Sequence, residues 1–182
     1  MLNICRGAIL MTCQLWEGAV MGVVLALVAS AAQAQYEKSA WPASLPSPVI
    51  QMTDLNEQTW NTADLKGKLV VLNFWATWCG PCKQELPSLQ ALSDASGGNP
   101  VVITVDVKES ASKVTTFVFG NRIRLPVVLD KSGEIARQWG VRVFPTTVLI
   151  GADGQARWRI QGALNWNGPE ARAWLNGLKL DQ

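Results

Sequence analysis

Two stretches of the chain are apolar without the alternation of a half-exposed strand: LVVLNFW at 69–75 and VVITVDV at 101–107. Both are rich in β-branched residues, and runs of this length and make-up predict strands buried on both faces. After the first run the spacing turns helical, predicting a helix over about 79–93 that SGGNP at 96–100 breaks. Farther on, ESASKVTTFVFG (109–120) predicts a helix, LPVVLD (125–130) a strand, and SGEIARQWG (132–140) a short helix. FPTTVLIG (144–151) and QARWRIQG (155–162) predict a hairpin across ADG, and 168–179 a terminal helix with Pro169 in its first turn. Ahead of the first buried strand lie a short hairpin (49–51 with 58–60) and a capped helical turn (61–68) ended by Gly67. Strands that alternate with helices and close in a hairpin and a helix describe one α/β domain around a mixed sheet, over 47–182. Residues 35–46 hold prolines and few large apolar residues, and read as an extended linker.

One more apolar run, GAVMGVVLALVASAA at 18–32, is of a different kind. It is shorter than the roughly 20 residues of a membrane span. Ala32 and Ala34 fit an A-x-A site with cleavage after Ala34, although Arg6 is the only basic residue before the run. Residues 1–34 are therefore expected to be a signal peptide or, if uncleaved, an N-terminal membrane anchor; translation from Met11 is also open. Both readings take the domain out of the cytoplasm, to the periplasm, with membrane contact only if the leader stays.

The 182 residues carry a net charge of +2 and no histidine. Lys and Arg are scattered, so no nucleic-acid partner is expected, and the missing histidine removes His acid–base chemistry and His metal ligands. Nine tryptophans against one tyrosine have no functional account at this level beyond packing. Of four cysteines, Cys5 and Cys13 fall in the leader, which leaves Cys79 and Cys82. One Cys-x-x-Cys pair is no disulfide scaffold, and a zinc site would need two more ligands where the remaining chain has no other Cys and no His. No metal or other cofactor is expected.

Redox chemistry remains. A strand running into Cys-Gly-Pro-Cys at a helix start puts Cys79 at the helix N-terminus, where the partial positive charge favours a thiolate. Cys82, one turn on, faces inward as the resolving thiol. Gly80 leaves room for a substrate chain, Pro81 suits a first helical turn, and Trp78 abuts Cys79 and is expected to face substrate. Glu85 lies i,i+3 from Cys82 on the same helix face; a partly buried carboxyl there could move the proton of Cys82.

WCGPC is the thioredoxin active-site motif, and NFWATWCGPCKQELP, with VFPTTVLIGADG (143–154) and QGAL (161–164), resembles the TlpA/ResA branch of the thioredoxin superfamily. The resemblance covers about residues 47–178. It implies a thioredoxin-like fold, a central mixed β-sheet flanked by helices, with an N-terminal β extension and an extra helix, near 109–120, inserted mid-domain. It implies a thiol-disulfide oxidoreductase that reduces protein disulfides and draws electrons from a membrane thiol donor; the branch often serves cytochrome c maturation or metal-centre assembly, between which the sequence does not choose. A monomer is expected. It implies Cys79 as nucleophile, Cys82 as resolving cysteine in a Cys79–Cys82 disulfide, Pro145 as a cis-proline facing that disulfide, Phe144 as the residue whose backbone pairs with substrate, and Glu85 as the branch's glutamate. Asn73 stands where plain thioredoxins have a buried aspartate, so acid–base duty passes to Glu85. Two other readings stay open. One is a redoxin-type peroxidase, which would need a peroxidatic cysteine in an Arg and Thr pocket. The other is a non-enzymatic metallochaperone or binding module of the same fold.

Overall fold

The computed structural model describes residues 36–180; the leader prediction lies outside them. The strands are β1 (Tyr36–Ala40), β2 (Gln51–Thr53), β3 (Thr59–Asn61), β4 (Val70–Trp75), β5 (Val101–Val107), β6 (Val127–Asp130), β7 (Thr146–Ile150) and β8 (Ala156–Gly162). The helices are α1 (Gly80–Ala95), α2 (Ala111–Gly120), α3 (Glu134–Gln138) and α4 (Pro169–Leu180), with a 3-10 turn at Thr62–Leu65.

Six strands form one sheet in the order β1-β8-β7-β4-β5-β6, and β2 and β3 form a separate hairpin. β4 pairs parallel with β5 and antiparallel with β7, so the sheet is mixed. The 69–75 run is continuously apolar because both faces of β4 are covered. Val71 and Trp75 point to the side packed by Leu86 and Leu89 of α1 and Leu175 of α4. Val70, Leu72 and Phe74 point to the side packed by Ala136 of α3 and by Trp139. That alternation also gives Asn73 the parity of Val71 and Trp75, toward α1. α1 runs through Pro87 to Ala95, and the mid-domain helix is capped by Ser110, whose Oγ accepts from Lys113 N.

Residues 36–40 correct the linker reading. They form β1, the sheet's edge, in antiparallel register from Tyr36↔Gly162 to Ala40↔Trp158. A strand pairs by backbone bonds and needs no apolar alternation where one edge is open. Its side chains are instead held one at a time: Lys38 Nζ lies 3.8 Å from the Trp158 ring centroid and 4.2 Å from that of Trp174. Tyr36 meets Trp174 edge-on at 5.8 Å and bonds Glu170, and burial adds to that carboxylate in pushing the phenol up to about 12. Just beyond, Trp41 packs on Trp139 at 5.5 Å beneath the Arg159 guanidinium. Much of the tryptophan excess thus goes into fastening the N-terminal segment to the domain.

Candidate active site

β4 ends at Trp75 and α1 begins at Gly80, so the intervening turn carries the first cysteine to a helix start. Cys79 N donates to Ala76 O at 3.1 Å and closes that turn. Cys79 is the N-cap of α1: its Sγ accepts from Cys82 N at 3.2 Å. The two sulfurs are joined at 2.02 Å, with Cys79 5% and Cys82 1% exposed. The inner sulfur is thus shut away and the outer one barely reached.

The rim differs. Trp78, Gly80 and Pro81 are exposed, and a Cβ built on Gly80 would meet nothing within 4 Å, so the chain's own packing does not require glycine there. Trp78 meets Phe144 edge-on at 5.8 Å. The Phe144–Pro145 peptide is cis, as is Asn99–Pro100, which nothing in the sequence reading foresaw. Pro145 precedes β7, and Phe74↔Thr146 pairing brings it to the end of the sheet where β4 hands over to the cysteine turn. A groove of about 530 Å³ opens beside Trp78 and Phe144, with Lys108, Arg137 and Arg142 along it.

Glu85 sits below, on the buried face of α1 with Cys82, only 2% exposed. Its Oε1 accepts from Trp166 Nε1 at 2.6 Å and from Leu164 N at 3.2 Å, and its Oε2 from Asn73 Nδ2 at 3.1 Å. Asn73 also donates to Thr147 Oγ1 at 2.9 Å. Burial pushes the Glu85 carboxyl up to about 7, against the pull of the Trp166, Leu164 and Asn73 donors. A carboxyl poised near neutrality can take and return a proton at working pH. Asn73, which cannot titrate, supplies it with a donor.

A family model described as AhpC/TSA matches residues 44–159. The chain belongs to the AhpC/TSA family. Among the relatives of this AhpC/TSA chain, the thiol-disulfide oxidoreductase ResA of Bacillus thuringiensis subsp. konkukian is 38% identical over 117 residues, which is 64% of this chain and 68% of that protein. The sporulation thiol-disulfide oxidoreductase A of Bacillus subtilis is 32% identical over 140 residues, 73% of this chain and 81% of that one. The exposed lipoprotein thioredoxin of Streptococcus pneumoniae superposes with a TM-score of 0.63 at 29% identity, over 73% of this chain and 99% of its own. The resemblance to the ResA branch and the thioredoxin-like fold both hold, and the class of chemistry is thiol-disulfide oxidoreduction.

In this AhpC/TSA chain the sequence reading missed Trp166 and the carboxylates Asp106 and Glu109. Trp166 reaches Glu85 from 81 positions away with no local pattern to announce it. Asp106 did leave a signal: it is the one charged residue in the VVITVDV run, and it is fully buried.

The raised Glu85 carboxyl fixes a sign for stability. Unfolded, it ionises near its ordinary value of 4.5; folded, near 7. The folded state therefore binds more protons between those values, and stability falls as pH rises through the window. The difference corresponds to about 3 kcal/mol at most, at about 1.4 kcal/mol per pH unit. Glu85→Gln is expected to flatten this part of the slope. Tm of both proteins from pH 4 to 8 checks it: equal slopes would mean that Glu85 ionises normally.

Proposed function

We propose that this oxidoreductase works in the periplasm, reducing protein disulfides with its Cys79–Cys82 pair and taking electrons back from a membrane thiol donor. The observation that carries the reading is the asymmetry of the pair: an outer sulfur at a helix N-cap under an exposed Trp-Gly-Pro rim, and an inner sulfur buried on the same helix face as a buried, proton-ready carboxyl. The reduced Cys79 thiolate attacks one sulfur of a substrate disulfide. A Cys79–substrate bond forms, the substrate's own S–S bond breaks, and its other sulfur leaves as a thiolate that takes up a proton. Glu85 accepts the proton of Cys82, whose sulfur attacks Cys79 Sγ and releases the second substrate thiol. Two electrons have then passed to substrate, and Cys79–Cys82 is left oxidised.

Substrate chain lies over Gly80 and Pro81 and against Trp78, pairing as an added strand with the backbone of Phe144 ahead of Pro145. Residues 1–34 export the domain that begins with β1 at Tyr36, cleaved or retained as an anchor. The test of direction is the reduction potential of Cys79–Cys82 against glutathione or dithiothreitol buffers. A value at or below about −250 mV, close to thioredoxin, is expected of a reductant; one near about −120 mV is that of an oxidant and would reverse the proposed electron flow.

A further inference from the structure

Thr77 stands two residues before Cys79, in the turn that carries it. Its backbone N donates to Glu109 Oε2 at 2.5 Å and its Oγ1 to Glu109 Oε1 at 2.8 Å. Both oxygens of one carboxylate, 32 positions away in the loop after β5, thus grip a single residue of the cysteine turn. Lys113 of α2 braces the grip, with Nζ 2.5 Å from Glu109 Oε1. Glu109 is 8% exposed and Thr77 6%, so water does not compete strongly for these bonds.

Behind Glu109 lies Asp106, near the end of β5 and opposite Trp75 in the sheet register. It is 0% exposed, and neither of its oxygens has a donor. An ionised carboxylate buried without a donor is strongly disfavoured. A neutral one does not, provided that its proton finds an acceptor, and Glu109 lies within hydrogen-bond reach. The charges facing Asp106 sort the pair. Glu109 and, from β6, Asp130 are negative, Lys113 is the cation, and β4 presents Trp75. Burial first, then the Glu109 bond and charge, push Asp106 up to about 8. Burial also pushes Glu109 upward, but Lys113, Thr77 and Asp106 outweigh it and hold that carboxyl down near 2.

We propose that Asp106 and Glu109 hold one proton between them and so position Thr77, and with it the turn bearing Cys79, for disulfide exchange. Both are positioning residues, acting through Thr77 and separately from Glu85. The role rests on Cys79 as the attacking thiol. When Asp106 loses its proton, two carboxylates face each other with one lysine to balance them, and the grip on Thr77 loosens. Cys79 reactivity therefore carries a second pH inflection above that of the thiol itself.

The test is the iodoacetamide alkylation rate of Cys79 against pH in the reduced full-length chain, read on the Cys79 peptide by mass spectrometry. Asp106→Asn keeps a donor toward Glu109 at every pH. It is expected to retain the thiol's own inflection and lose the upper one. Profiles of wild type and variant that superimpose overturn the positioning role. The shared proton is read without any variant, and whether or not Cys79 attacks, from the side-chain carboxyl carbon of Asp106 by 13C NMR in the oxidised wild-type chain. A midpoint above about pH 6, or a carbon still protonated at the alkaline end of the titration, is expected; one below about pH 6, nearer an ordinary aspartate, overturns the pair.

Discussion

Cys79→Ser is expected to abolish disulfide turnover, by at least about three orders of magnitude, in an otherwise folded protein. The size follows from the loss of the proposed nucleophile itself. Cys82 cannot take its place, because it is 1% exposed, on the buried face of the first turn of α1. A hydroxyl at position 79 gains little from the Cys82 N–H and the helix N-terminus, which favour a thiolate because a thiol's pKa is within their reach. Unfolding does not confuse the result. A bridge between residues three apart closes a very short loop, worth about 2 kcal/mol by chain entropy, against roughly 5–15 kcal/mol for a typical domain. Insulin reduction with a dithiol donor, alongside Tm, is the assay. Turnover within about tenfold of wild type would remove Cys79 from the chemistry.

Glu85→Gln slows the second half of the exchange by about 100-fold at neutral pH, the lower end of what a positioned proton acceptor contributes. Glutamine preserves the shape and still accepts from Trp166 and Leu164. Its amide would oppose the Asn73 amide, but Asn73 Oδ1 has no partner at present and can accept after a flip. The variant is therefore expected to fold and to fail kinetically. The first attack, which the proposed mechanism gives to Cys79 alone, is expected to keep its rate within a few-fold. Release of the second substrate thiol becomes slow, and it recovers as alkaline pH ionises Cys82 directly. Wild type shows an inflection near 7 in the same step, where burial has placed the Glu85 carboxyl. Stopped-flow detection of the released thiol separates the steps. An unchanged second step at pH 7 would make Glu85 structural.

What the sequence made legible follows from where the determinants lie. β4 and β5 were readable because both of their faces are buried, and the Cys-Gly-Pro-Cys turn because strand, proline and helix start are contiguous. Glu85 was readable because three residues along a helix is one face. β1 was not, since an edge strand held by Lys38 between two indole rings leaves no period in the sequence. The environments of the carboxylates were not readable either. Trp166 and Leu164 reach Glu85, and Glu109 reaches Thr77, only after the chain has folded back on itself. Asn73 joins the two levels: its identity set it apart from plain thioredoxins, while its donation to Glu85 and Thr147 needed the register of two strands and a helix.

The most direct test of the central claim is to trap the exchange midway. Reduced Cys82→Ser, mixed with a disulfide-bonded protein substrate, is expected to accumulate a mixed disulfide that mass spectrometry maps to Cys79. Cys79→Ser should accumulate none. A mixed disulfide mapped to Cys82, or an equal yield from both variants, would contradict the assignment of an outer attacking sulfur and an inner resolving one.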